Sequence, residues 1–202
     1  MRPGSKPVVS NAGPLIVLAK LNLLHLLKEL FGEVHFSHSV FDEVVIEGMR
    51  QGYVDAVTAK LFLEQVGWKP TEVPTPLSTI LKSKVEDANI SKGEAAEGKI
   101  LPGDLHLDRG EQDTIALAFT LKSDLVLMDE SYGREIARSL GIGVRGSLSI
   151  LIEAYRKEII SLDQLRLCFA ELARREDIWI SRALIERLKK VVLEGKDPQE
   201  KG

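Results

Sequence analysis

The strongest constraint on this chain is an alternation of short apolar runs with stretches of helical periodicity. Val8-Val9-Ser10 is a β-branched run halted by Asn11-Ala12-Gly13, and Leu125-Val126-Leu127-Met128 is a continuous apolar run. Unbroken runs of this kind suit parallel strands covered on both faces. Pro14 stands where the first position of a helix would fall, because its missing N–H is not needed there. Leu15, Leu18 and Ala19, then Leu23, Leu24 and Leu27, recur at helical spacing with a break near Asn22. Val34-His35-Phe36 is a second strand-sized piece, after which Ser39 and Asp42 read as a capping box, with Val40, Val44 and Val45 as the apolar stripe. Residues 53–66 read as another helix and Trp68-Lys69-Pro70 as a short extended piece.

Residues 82–106 are rich in Lys, Glu, Asp, Ser and Gly, and a polar insertion or lid is expected over about 77–107. Regularity returns at Asp108, which with Glu111 forms a cap pair. The segment 114–121 is apolar almost all round, so its helix is expected to be buried. Residues 131–140 read as a helix stopped by Gly141, Val144 centres a last short strand, and two or three helices fill 147–193. The alternation predicts an α/β fold with a parallel sheet and right-handed crossovers.

Composition narrows the function classes. The chain has 44% hydrophobic and 28% charged residues, which excludes wholesale disorder. Aromatics at 5% speak against a base-stacking platform, and a formal charge of −3 excludes a broad cationic surface while leaving room for a local basic groove. A single cysteine, Cys168, excludes a disulfide framework and a thiolate metal cage and fits a reducing cytosol. No export signal is visible, and Lys20, Asn22 and His25 interrupt the most apolar stretch. A cytoplasmic protein without a membrane span is therefore expected.

In a parallel α/β sheet, ligands bind outside the carboxyl ends of the strands. Asn11 follows the first strand there, and Asp129 with Glu130 follows Leu125–Met128. Glu43 and Asp113 lie early in helices expected beside the sheet. Asp113 shares its helix face with Ala116 and Leu117, and a carboxylate among apolar neighbours needs a partner. Converging carboxylates make an oxygen-rich site suited to Mg²⁺ or Mn²⁺. Each acid also has a plainer reading: Asp113 as a first-turn dipole residue, Glu43 as a solvated helix residue, Asp129 and Glu130 as a helix cap.

Four collinear segments, residues 8–27 (VVSNAGPLIVLAKLNLLHLL), 39–44 (SVFDEV), 108–118 (DRGEQDTIALA) and 125–137 (LVLMDESYGREIA), resemble a PIN domain, with the nearest likeness to its VapC-like prokaryotic branch. The resemblance runs over 7–158 and leaves 159–202 as a C-terminal helical extension. It implies a three-layer α/β/α sandwich and a metal-dependent ribonuclease, often a toxin held by a cognate antitoxin and commonly a homodimer. It also implies that Asn11, Glu43, Asp113 and Asp129 are the catalytic and metal-binding set, with Mg²⁺ or Mn²⁺. Glu130 would be an accessory acid, and Ser131 and Arg134 would touch water or phosphate. The departure is Asn11, where the family pattern has Asp; an amide oxygen still coordinates a hard cation but brings no charge. The alternative it opens is a catalytically weak scaffold that binds RNA or a protein without cutting. A nucleotide-binding module of similar topology is a third class.

Other signals are set aside. Gly141-Ile-Gly143-Val-Arg-Gly146 matches GxGxxG but follows a helix rather than the first strand, and reads as turns around the last strand. His35 and His38 diverge at a strand–helix junction, and Cys168 reads as a core residue. Ser10, Ser147 and Ser149 lack a nucleophile elbow. Arg182, Arg187, Lys189 and Lys190 read as the solvated face of a helix docked by Leu184, Leu188 and Val191.

Overall fold

The computed structural model describes residues 6–87, 106–178 and 180–193. Four strands, β1 (Val8–Ser10), β2 (Val34–His35), β3 (Leu125–Leu127) and β4 (Gly143–Arg145), form one sheet in the order β2-β1-β3-β4. Every pairing is parallel: Val8 aligns with Val34 and Leu125, and Leu127 aligns with Arg145. Chain order runs outward from β1 to β2 on one side and from β3 to β4 on the other. The switch point therefore lies between β1 and β3, the position where such sheets open a crevice for ligands. A backbone hydrogen bond of 2.8 Å from Asn11 N to Leu127 O ties the two strand ends together there.

The helices are α1 (Ala12–Lys20), α2 (His25–Phe31), α3 (His38–Phe41), a π-helical turn (Asp42–Glu47), α4 (Gly48–Arg50), α5 (Val54–Val66), α6 (Leu77–Asp87), α7 (Arg109–Thr120), α8 (Ser131–Ser139), α9 (Ser147–Arg156), α10 (Leu162–Arg174) and α11 (Arg182–Leu193). Period-two alternation sends Val8 and Leu127 to one core, and Val9, Val126 and Met128 to the other. The first core adds side chains of α1, α2, α5, α9 and α10; the second adds those of α6, α7 and α8. The result is the three-layer α/β/α arrangement around a parallel sheet. Leu165, Phe169, Leu172 and Ile185 of the C-terminal helices belong to the same core as α1 and α9.

Several local expectations change. The helix after β2 is capped by Ser37, whose Oγ accepts from Val40 N, and not by Ser39. Residues 77–87 form α6, whose Leu77, Ile80 and Leu81 are buried with Leu107 in the second core, so this part of the expected polar lid is packed structure. The rest of that stretch, 88–105, lies outside the described residues. On α11 the docked stripe is Ile185, Leu188 and Val192, while Leu184 is exposed. The break near Asn22 is a left-handed residue at φ 56° just beyond α1, a conformation Asn tolerates.

Lys20, expected only to interrupt an apolar run, buries its side chain at the end of α1. Its Nζ reaches Asp177 at 2.5 Å and Asp55 at 3.5 Å, pinning the segment after α10 and the start of α5 to α1. Among the described residues no helix is long and apolar enough to cross a membrane.

Candidate active site

Asn11 and Asp129 stand at the carboxyl ends of β1 and β3, on either side of the switch point. Asn11 is buried, its Nδ2 donating to Glu130 Oε2 at 3.2 Å and its Oδ1 accepting from Thr114 Oγ1 at 3.3 Å. A carboxylate is acceptor-only, so Glu130 dictates which end of the amide faces it. The neutral residue at position 11 thus bridges to an acid that an aspartate would repel.

Asp129 is held by Ser147 at the start of α9, whose backbone N–H donates to Oδ1 at 2.8 Å and whose Oγ donates to Oδ2 at 2.5 Å. Burial pushes the Asp129 carboxyl above its usual range, against the Ser147 bonds and the nearby Arg134, which favour the charged form. Arg134 Nη1 donates to Met128 O at 3.4 Å on the same side. Glu130 occupies the N-cap position of α8 without capping it, and Asp129 bonds to α9 instead. The plain reading of this pair as a helix cap therefore fails: Asp129 accepts from Ser147, and Glu130 from Asn11.

Glu43 lies in the π-helical turn, a form found mostly as single turns and frequently at functional sites. Although the residue is exposed overall, its carboxyl end rests against the start of α7. A Cβ placed on Gly110 would meet Glu43 Oε2 at 3.2 Å, Asp108 Oδ1 at 3.3 Å and Asn11 Oδ1 at 3.5 Å. Three oxygens from three separate segments thus surround one small space, and only glycine leaves it open. The Glu43 carboxyl is pushed up to about 7 by burial, then by the negative charge of Asp108, Glu130 and Glu111. Gly13 plays a similar part at the other rim, where a Cβ would lie 3.2 Å from both Asp129 Oδ2 and Glu130 Oε1.

Asp108 and Glu111 were expected only as a cap pair. The capping box forms, with Glu111 N donating to Asp108 Oδ1 at 2.7 Å and Asp108 N donating to Glu111 Oε2 at 2.9 Å. Yet Glu111 is buried, its carboxyl raised first by desolvation, and both acids act on Glu43. The sequence signal for them was the glycine between, since Asp-Arg-Gly-Glu puts two carboxylates around a residue without a Cβ. Among the described residues none of Glu43, Asp108, Glu111, Asp129 and Glu130 forms an ion pair.

Asp113 is not brought into this cluster. Two residues beyond Glu111 on α7, it accepts from Ser39 Oγ at 2.6 Å and lies 3.7 Å from the Arg109 Nε. Ser39 precedes Glu43 by one turn, so Asp113 sits one turn along α3 and α7 from the Gly110 cradle. Its protein partners are the Ser39 hydroxyl and the Arg109 guanidinium. Ser131 is exposed at the first residue of α8. His38 contacts Glu72 at 3.3 Å and Cys168 is buried in the first core, neither joining the site.

The donor set around Gly110 is oxygen-only, which suits Mg²⁺ or Mn²⁺ rather than zinc. Among the described residues no three His, Cys, Asp or Glu side chains form a ready-made cage, so the carboxylates would have to draw inward around an ion. No curated protein and no solved structure matches the chain. A family model described as a PIN domain matches residues 7–194, nearly the whole chain and every element of the sheet. With its parallel sheet and acid-lined switch point, the chain belongs to the PIN-domain family, whose members are generally nuclease-like.

Proposed function

We propose that the protein is a ribonuclease that hydrolyses RNA phosphodiester bonds with Mg²⁺ or Mn²⁺. The observation that carries this reading is the cradle at Gly110, where oxygens of Asn11, Glu43 and Asp108 meet beside Asp129 and Glu130 at the switch point. Glu43, Asp129, Glu130 and the Asn11 amide oxygen would hold the metal, which when bound lowers the pKa of water and offsets charge on the phosphate oxygens. Ser147 fixes the direction of Asp129, and Thr114 that of the Asn11 amide. Arg134 brings a positive charge beside Asp129, within reach of a phosphate. Asp113 supports the start of α7 through Ser39 and Arg109, flanking the ion rather than holding it.

Likeness to the VapC-like branch extends the proposal to a cytoplasmic toxin with a cognate antitoxin and a homodimeric state. Exposed Ile46, Met49, Tyr53, Val54, Val57 and Leu61, from the π turn to α5, offer the surface for a second chain. Asn11 favours one further reading, a scaffold that binds RNA without cutting, because its amide already satisfies Glu130 without a cation.

The test is cleavage of a mixed structured and single-stranded RNA pool with Mn²⁺ or with EDTA. Wild type should cut only with Mn²⁺, Glu43→Gln should abolish cutting, and Asp113→Asn should reduce it more mildly. Absence of cutting by wild type, with Mn²⁺ binding still measurable by calorimetry, would move the assignment to the scaffold.

A further inference from the structure

The outer edge of the sheet carries a second feature, away from the acid cluster. β4 and α9 enclose an open groove of about 450 Å³ lined by Arg145, Ser149, Ile152, Glu153, Arg156 and Lys157. Three cationic groups face a single carboxylate, in a chain whose formal charge is −3. Glu153 pairs with Arg145 and, at 3.0 Å, with Lys157, so one acid holds two cations in fixed places. Arg156 is exposed and makes no ion pair among the described residues. Val144 packs into the second core, so the next residue, Arg145, turns to the α9 side of β4.

The chain leads directly from the groove to the candidate active site. Arg145 ends β4 two residues before Ser147, which holds Asp129. Ser149, Glu153 and Arg156 then follow at helical spacing along α9, and at 1.5 Å per residue Lys157 lies about 15 Å along the helix from Ser147. Arg145 and Lys157 share the Glu153 carboxylate, so the cations gather around it against α9, to one side of the acid cluster rather than around the acids. A polyanion approaching the acid cluster is repelled there unless positive charge elsewhere retains it. An acidic protein segment would match the charge, but anchoring of a protein partner calls for buried apolar or aromatic pockets. Among the described residues, Ile152 is the only apolar one lining the groove.

We propose that this groove is a phosphate track for RNA, with Arg145, Arg156 and Lys157 together meeting phosphates of the strand beyond the cleavage position. The inference rests on the ribonuclease reading for its direction and makes a separate claim about binding. It predicts that substrate length matters, because a trinucleotide seated at the acids offers the groove fewer phosphates than a long strand does.

The experiment compares Glu43→Gln protein, which does not cut, in saturating Mn²⁺, with and without Arg156→Gln and Lys157→Gln. Fluorescence anisotropy is measured on a labelled long single-stranded RNA and on a trinucleotide, across a salt series. Both groove residues are exposed, so an unchanged melting temperature serves as the folding control. Affinity for the long RNA should fall on the order of tenfold, and the slope of log affinity against log salt should become shallower by about 1.4, about 0.7 for each lost phosphate contact on a single strand. Trinucleotide binding should fall by less. Unchanged affinity and slope for the long RNA would overturn the track, as would an equal loss on both RNAs. Binding of a polyglutamate peptide in place of RNA, lost in the same variant, would overturn it in favour of a protein partner. If wild type cuts RNA and the groove variant binds normally, the track fails and the ribonuclease reading stands; the track stands alone if wild type does not cut and the variant loses long-RNA affinity.

Discussion

Replacing Glu43 by Gln tests whether the acid cluster is built to receive a cation. The Glu43 carboxyl is raised from 4.5 to about 7, so its protonated form is favoured in the folded chain. The stability this confers is fully present below about pH 4.5 and is lost as pH rises through about 7. If the site were shielded from water, that shift would correspond to about 3 kcal/mol; Glu43 is exposed, and solvent screening reduces it to about 1 kcal/mol. Glutamine resembles the protonated acid and escapes the cost. In EDTA at pH 8 the variant should therefore melt about 2–4 °C higher than wild type, and the difference should close below about pH 4.5. Metal reverses the order. An ion at a hundred times its dissociation constant stabilises wild type by about 2.7 kcal/mol, or about 5–11 °C at this chain length. Loss of one ligand carboxylate should weaken binding by at least about 10–100-fold and remove most of that shift. Scanning calorimetry with EDTA and with Mn²⁺ reads both quantities. A variant less stable than wild type in EDTA at pH 8, yet keeping the full Mn²⁺ shift, would show that Glu43 is a structural acid, and the cation-site reasoning would be refuted.

Asn11→Asp places a carboxylate 3.2 Å from Glu130 in place of an amide donor. It should lower the melting temperature in EDTA and restore or exceed it with Mn²⁺, and cleavage should rise if the missing charge limits the site; a variant indifferent to Mn²⁺ would count against the cluster. Ser147→Ala removes the hydroxyl that donates to Asp129 Oδ2. Urea unfolding at pH 8 should show a loss of about 1.5–3 kcal/mol, and about half of that at pH values where Asp129 is protonated, because a hydrogen bond to a charged acceptor is about twice as strong as a neutral one. Lys20→Ala leaves Asp177 and Asp55 without their shared cation. A loss of about 2 kcal/mol is expected, with Asp177 half-exposed, and limited proteolysis should show the segment after α10 released first.

Much of the fold was legible because strand and helix periods differ. The apolar run Leu125–Met128 could only serve a strand with two covered faces, and its residues do divide between the two cores. Gly141, read as a helix stop, adopts φ 78° where α8 ends, a conformation that favours glycine. Polar composition misled at residues 77–87, because Leu77, Ile80 and Leu81 are spaced widely among charged neighbours yet fall on one face of α6. Ser39 was misread for a related reason: two hydroxyls two residues apart, Ser37 and Ser39, are equally able to cap a helix, and the chain's path from β2 selects Ser37.

The site divides along the same line. Asn11, Asp129 and Glu130 were readable because strand ends in a parallel sheet are fixed by topology, and topology follows from the pattern of elements. Asp113 and Glu111 were not distinguishable, since two residues on a helix lie about 200° apart and the sequence does not say which of them faces the sheet. Packing of α7 decides it. Ile115, Ala116, Leu117 and Ala118 seat the helix so that Thr114 reaches Asn11, Glu111 turns inward and Asp113 meets Ser39. The sequence by itself determined the layers, the parallel sheet and the two strand ends at the switch point, because these depend on local periodicity. The tertiary structure decided which carboxylates share one space, because that depends on the rotation of each helix about its axis and on the glycines that let the acids approach.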